Sequence, residues 1–191
     1  MKIYVASSWR NEIQQEIVRL LREAGHEVYD FKNPAPGNNG FHWSEIDPQW
    51  RTWSPRQFKD ALCTEIAGAG FWSDMNALDD CDCCVLVLPC GRSAHLEAGW
   101  AIGASKPTVI LLAEGMEPEL MYAMTPYICV DIPELLESVE EIKKSGHRCR
   151  VCGCTDNEAC PGGCYWVEPD LCSECVEAAR TADLIDKEGP E

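Results

Sequence analysis

The sequence predicts an α/β fold: a doubly wound, five-stranded parallel sheet followed by a small cysteine-rich metal-binding module. Three observations carry this. Short apolar runs alternate with helical stretches over residues 1–145. One of these runs, CCVLVLP at 83–89, is continuously apolar, as a strand buried on both faces must be. Finally, seven of the thirteen cysteines crowd between Cys149 and Cys175, whereas the other six scatter between Cys63 and Cys129.

KIYVAS at 2–7 reads as the first strand. A helix follows over Asn11–Ala24, with Ile13, Ile17, Leu20 and Leu21 on one face and Gly25 as its stop. HEVYDF is the second strand. Residues 32–56 are too rich in proline, glycine and asparagine for regular structure. Loops of that length are functional or disordered, and Trp43, Trp50 and Trp53 argue against disorder. These tryptophans either stack on a base or form an apolar cluster over the sheet edge. A helix is expected from Pro55 toward Leu78, broken near Gly68–Gly70. CCVLVLP, TVILL and YICVD supply the last three strands. SAHLEAGWAIGAS and PELLESVEEIKK supply the last two helices. The organisation is 1–145 for the α/β domain, 146–176 for the cysteine module and 177–191 for an acidic tail.

The formal charge is −16. A nucleic acid would be repelled by that field, and no basic patch offsets it, so nucleic-acid binding is not expected. Small anions remain accessible to individual arginines. There is no apolar run of membrane-spanning length. The chain enters its first strand directly, without an apolar leader, so a cytoplasmic protein is expected.

In sheets of this class ligands bind beyond the carboxyl ends of the strands. The first strand ends in Ser7-Ser8-Trp9-Arg10-Asn11, without a glycine-rich dinucleotide fingerprint. Hydroxyls, helix amides and a guanidinium at such a place hold a phosphate. The alternative is that Ser8 or Asn11 only caps a helix and Arg10 is a solvated charge. After the third strand, Gly91-Arg92-Ser93 leads into a helix, with Ser93 as the expected N-cap and Glu97 in the first turn. There the helix dipole favours the ionised carboxylate, which can act as a nucleophile. Glutamate is also common in first turns for stability alone. Asp74 can reach the same end of the sheet, and a pair of carboxylates suits glycosyl transfer; by itself, Asp74 is an ordinary exposed cap.

Tyr4, Ser8 and Arg10, then SDMNAL ahead of DCCVLVLP, then HLEAGWAIGASKPTVILL, resemble nucleoside 2-deoxyribosyltransferases over residues 1–130. The spacing of Asp74 eight residues before Asp82, and the Glu-Ala-Gly-Trp-Ala helix followed by Lys-Pro, are the most specific parts. Together with the strand pattern, the resemblance implies the flavodoxin-like form of the sheet. It implies that Glu97 is the nucleophile, that Asp74 handles the base and that Tyr4 positions Glu97. Ser8 and Arg10 resemble the branch that hydrolyses 2′-deoxynucleoside 5′-monophosphates, where they hold the phosphate. It also implies a homodimer or larger homo-oligomer, with a segment matching Tyr122 and Met124 entering the neighbour's site. Two departures concern the substrate's 5′ group. Gly91 stands where the family often has aspartate or serine, and Tyr122 where it has asparagine or serine. Arg92 and Ser93 are the expected substitutes as phosphate ligands.

In the module, Cys149-x2-Cys152 and Cys172-x2-Cys175 are two knuckles 19 residues apart, the pattern of a four-thiolate zinc site. Cys154, Cys160 and Cys164 form a second site, with His147 or another ligand, or mix with the first set. An iron–sulfur cluster uses the same thiolates and stands as the alternative. Pro161-Gly162-Gly163 and Trp166 are expected to shape the small fold. Asp156, Glu158, Glu168, Asp170 and Glu174 outnumber the arginines, which points to a structural role.

The function expected is cleavage or exchange of the base of a nucleoside or nucleoside 5′-monophosphate, without a catalytic cofactor. The alternatives are an N-glycosidase of a nicotinamide dinucleotide and a non-catalytic nucleotide sensor.

Overall fold

The computed structural model describes residues 1–145, 149–155, 159–168 and 170–179. The chain divides into two compact units, Met1–Val139 and Glu140–Glu191. His147, Asp156 and Glu158, the boundary at 146 and most of the acidic tail lie outside the described residues.

The first unit is the doubly wound sheet. Its strands are β1 (Lys2–Ala6), β2 (Glu27–Asp30), β3 (Cys83–Val87), β4 (Thr108–Leu111) and β5 (Tyr127–Cys129). All pair in parallel, in the order β2-β1-β3-β4-β5. This is the flavodoxin-like order, whose switch point lies between β1 and β3. Every residue of β3 is buried, as its unbroken apolar run requires.

Helices α3 (Glu65–Asp80) and α4 (Arg92–Gly103) cover one face. They pack on Tyr4, Ala6, Cys84, Leu86, Leu88 and Ile110. The alternate residues Ile3, Val5, Val85 and Val109 are equally buried on the opposite face. Helix α1 (Gln14–Glu23) packs against β2, and α5 (Ile132–Ser145) buries Leu135 and Val139. No helix among the described residues is long and apolar enough to cross a membrane.

Two details differ from the sequence expectation. Helix α1 buries Gln14, Ile17, Val18 and Leu21, whereas Ile13 is exposed. Gln14 takes the core position because it donates to Asp30 at 2.9 Å, which satisfies its amide inside the fold. Gly25 ends the helix as expected, in the left-handed region at φ 84°. The second difference is the helix break. It falls at 62–64, between α2 (Pro55–Ala61) and α3, and α3 runs unbroken through Gly68 and Gly70. Thr64 starts α3 by accepting a hydrogen bond from the Ala67 amide. Gly70 serves packing instead: a Cβ there would lie 2.7 Å from the Phe41 side chain.

The second unit contains an antiparallel pair, β6 (Trp166–Glu168) and β7 (Leu171–Cys172). The Pro161-Gly162-Gly163 turn closes through a bond from the Gly163 amide to the Cys160 carbonyl, and Trp166 opens β6. Its interior is Leu171 and Ala179 together with cysteine sulfurs, flanked by Trp166 and Val176.

Candidate active site

The loops after β1 and β3 are tied together at the carboxyl end of the sheet. Ser7 Oγ donates to the Val87 carbonyl at 2.8 Å. Asn11 Nδ2 donates to the carbonyls of Val87 and Pro89 at 3.3 and 3.1 Å. The Asn11 Oδ1 accepts from the amides of Ile13 and Gln14, both at 2.9 Å. One asparagine thus fixes the start of α1 to the end of β3, and Ser8–Arg10 lie between these anchors. The Ser8 Oγ accepts from the Arg10 amide at 3.2 Å. The Arg10 side chain is exposed and makes no ion pair among the described residues.

Helix α4 begins earlier than expected. Its N-cap is Gly91, in extended conformation and with no side-chain cap, and not Ser93. The chain leaves β3 through Pro89–Gly91 and is helical by Arg92, so Ser93 lies within the first turn. Arg92 and Ser93 are exposed there, beside amides that no side chain caps. Glu97 is consequently in the second turn and not the first, beyond the strongest influence of the helix dipole.

What governs Glu97 is burial. Helix α4 presses Ala94, Ala98 and Ala101 against the sheet, and small side chains let it approach closely. Glu97 borders that face and is drawn into the fold beside Tyr4. Burial and the negative charge of Asp74 push its carboxyl up to about 7, against a lowering contribution from the Tyr4 hydroxyl. The ionised form is therefore disfavoured, contrary to the dipole expectation. Tyr4 is fully buried, and its hydroxyl has no partner at good hydrogen-bonding geometry among the described residues. Burial pushes its titration far up, so it stays a neutral donor able to turn toward Glu97.

Asp74 lies on α3 and is half-buried; burial raises its pKa, while the Tyr29 hydroxyl donates to its Oδ1 at 2.8 Å and lowers it. Tyr29 also contacts Ser73 Oγ at 2.9 Å and stacks on Tyr4 with ring centroids 5.3 Å apart. Tyr4 and Tyr29 are register partners on β1 and β2, so the sheet itself aligns the two hydroxyls. Tyr29 thus serves Asp74, and Tyr4 stands beside Glu97. Tyr29 and Ser73 were not among the residues singled out from sequence. The signal was weak: a tyrosine in an edge strand is ordinary until its partner strand is known.

From Asp74 a cavity of about 300 Å³ extends outward. Its walls are Tyr29, Phe31 and Phe41, with Asn38, Glu45 and Ser73 as polar groups. Gly40 closes it where a Cβ would strike the Phe31 carbonyl at 2.1 Å. The tryptophan-rich loop forms this wall indirectly. Trp43 packs edge-on against Phe41, Trp53 and Phe58, at centroid distances of 4.8, 5.7 and 5.5 Å. Trp43 and Trp53 are thus engaged with one another, and the cavity-facing ring is Phe41.

The other expected residues divide. Gly91 and Tyr122 join the same end of the sheet. Tyr122 is half-buried against the core, and its hydroxyl meets His95 Nε2 at 2.9 Å. His95 Nδ1 lies 2.9 Å from the Gly91 carbonyl. Tyr122 is therefore held by its own chain. Met124 is half-exposed beside Lys106, Pro107 and Thr108, at the amino ends of β4 and β5, away from the cleft.

In the cysteine unit, the sulfurs of Cys149, Cys152, Cys172 and Cys175 form one group able to hold a metal ion, as the knuckle spacing predicts. A second group consists of Cys152, Cys154, Cys160 and Cys172, so the additional cysteines mix with the first set. All seven are free thiols. Four thiolates at such spacing suit tetrahedral zinc.

No family model matches the chain. No curated protein matches it. Among solved structures, the chain is similar to the CMP N-glycosidase BcmB of Clostridium botulinum at 20% identity, with a TM-score of 0.40 over 74% of this chain and 99% of that chain. So slight a likeness decides neither chemistry nor substrate.

Proposed function

We propose that the first unit is an N-glycosidase of nucleoside 5′-monophosphates, acting through a glycosyl-enzyme intermediate on Glu97. The observation that carries this reading is the carboxyl pair itself. Asp74 and Glu97 come from different helices to the carboxyl end of β1 and β3, each with a tyrosine hydroxyl, and the charge of one raises the pKa of the other. Such a pair resists double ionisation and carries one proton between its members. One carboxylate and one carboxylic acid is the state that glycosyl transfer requires.

In the proposed reaction the base stacks in the cavity walled by Phe31 and Phe41. The pair's single proton passes from Glu97 to Asp74, and the ionised Glu97 attacks the anomeric carbon as the bond to the base breaks. The electron pair leaves with the base, which takes a proton from Asp74. Tyr4 orients the attacking oxygen, and Tyr29 orients Asp74. Water then attacks the glycosyl ester and returns its proton to Asp74, freeing Glu97. Transfer to a second base is the same second step with a nitrogen nucleophile. Ser8, Arg10, Arg92, Ser93 and the uncapped amides of α4 suit the 5′-phosphate. Gly91 leaves the room that a larger side chain would fill. A homo-oligomer belongs to the proposal too: Leu120, Met121 and Met124 are exposed apolar side chains that a second copy would cover.

Incubating the protein with nucleosides and their 5′-monophosphates, with and without an acceptor base, tests this. The expected products are free base and pentose phosphate. No release from any substrate would refute the catalytic reading and leave nucleotide sensing.

A further inference from the structure

The seven cysteines of the second unit do not sort into two independent sites. Two separate ions, each held by four thiolates, would need about eight sulfurs; residues 149–175 hold seven. The two four-sulfur groups overlap instead, and Cys152 and Cys172 belong to both. The sulfurs of Cys152, Cys160 and Cys172 form a nearly equilateral triangle, with edges of 3.6, 3.7 and 3.8 Å. A tetrahedral zinc ion with bonds of about 2.3 Å has sulfur–sulfur edges of about 3.8 Å. The triangle is thus one face of such a tetrahedron, and its Cys152–Cys172 edge is shared with the Cys149–Cys175 side. Cys164 stands outside both groups. It contacts Cys154 at 3.7 Å and accepts a hydrogen bond from the Cys160 amide at 3.3 Å.

We propose that this unit holds a binuclear thiolate cluster: two divalent zinc ions and six cysteines, with Cys152 and Cys172 bridging both ions. Cys149 and Cys175 complete one ion, and Cys154 and Cys160 complete the other. The cluster explains how the unit folds with so little apolar core. Around the cysteines, the buried apolar side chains without sulfur among the described residues are Leu171 and Ala179. Cys172, fully buried at the start of the 3₁₀ turn Ser173–Cys175, occupies the place of a central core residue. Folding free energy that burial cannot supply comes from metal–sulfur bonds.

Bridging has a spectroscopic signature that separate sites lack. The full chain is purified, its metal measured by elemental analysis, and the metal exchanged for cadmium-113. The expected result is two zinc ions per chain, and two cadmium resonances in the four-thiolate range, each split by the other through the shared sulfurs. One zinc per chain, two unsplit resonances, or iron with a visible absorbance band would each overturn the proposal. Cys164→Ser gives a second readout that does not depend on removing a ligand. The variant is expected to retain both ions and the splitting. Loss of one ion would make Cys164 a ligand and replace the six-thiolate, doubly bridged cluster with a seven-thiolate one sharing a single sulfur.

Discussion

The two units of this chain hold themselves together by opposite means. The first buries Tyr4, Leu86, Leu88, Ile110 and their neighbours between a sheet and its helices. Among its described residues, the second surrounds a knot of thiols with Leu171, Ala179, Trp166 and Val176. A fold with apolar surface in reserve can place two mutually repelling carboxyls in a partly dry cleft and still stand. A fold without that reserve has no such freedom, and its polar interior is there to bind what stabilises it. On the proposed reading, buried ionisable groups mean different things in the two places: a reactive site that costs stability in one, and the source of stability in the other.

The largest expected effect breaks the comparison if it fails. Removing metal with a strong chelator, or making Cys172→Ser, withdraws on the order of 10 kcal/mol from the second unit. Its amides should exchange as in an unfolded chain, while β1, β3 and β4 keep their protection. Hydrogen exchange read by mass spectrometry distinguishes this from joint loss, which would mean that the units fold as one.

The next effect belongs to the cleft. Glu97→Gln should lower turnover by at least about a hundredfold, since an amide does not attack the anomeric carbon. The same variant sharpens the stability argument. The Glu97 carboxyl is raised from 4.5 to about 7 in the folded protein. The folded state therefore holds a proton that the unfolded state has lost, and native stability falls as pH rises through that window. Above it, Glu97→Gln should be more stable than the parent by about 3 kcal/mol. Thermal melting at pH 5 and pH 8 checks the sign: the advantage must appear at the higher pH. A constant offset would mean that Glu97 is not held in a costly environment.

The smallest effect concerns the phosphate. Arg10→Ala should weaken kcat/KM for 5′-monophosphates roughly tenfold more than for nucleosides, because the charge-assisted contact exists only with the phosphate. Equal losses would place Arg10 outside the binding site.

The sheet was legible because a central strand buried on both faces must be continuously apolar, as β3 is, and because short strand-like runs alternate with helical stretches through the first unit. The helix starts were less so. Ser93 is a better cap than Gly91 by propensity, yet the exit of the chain from β3 set the start, and this moved Glu97 two residues further into the helix. Glu97, Asp74 and Tyr4 emerged as a set only through a family resemblance. Their mutual geometry depends on strand register, and so does the role of Tyr29. The cavity was hidden in residues 32–56, whose shape follows from contacts of Trp43, Phe41 and Gly70 that no local pattern announces. In the second unit the knuckles predicted four ligands. The overlap of two ligand sets on Cys152 and Cys172 is a matter of sulfur positions, which spacing does not encode.

The central claim is that Glu97 carries the sugar during turnover. Quenching the enzyme in acid while it turns over a 5′-monophosphate, then digesting it and measuring peptide masses, tests this directly. A pentose phosphate ester on the peptide containing Glu97, absent from Glu97→Gln, is the predicted result. Base release that proceeds undiminished in Glu97→Gln, with no modified peptide in either protein, would contradict it.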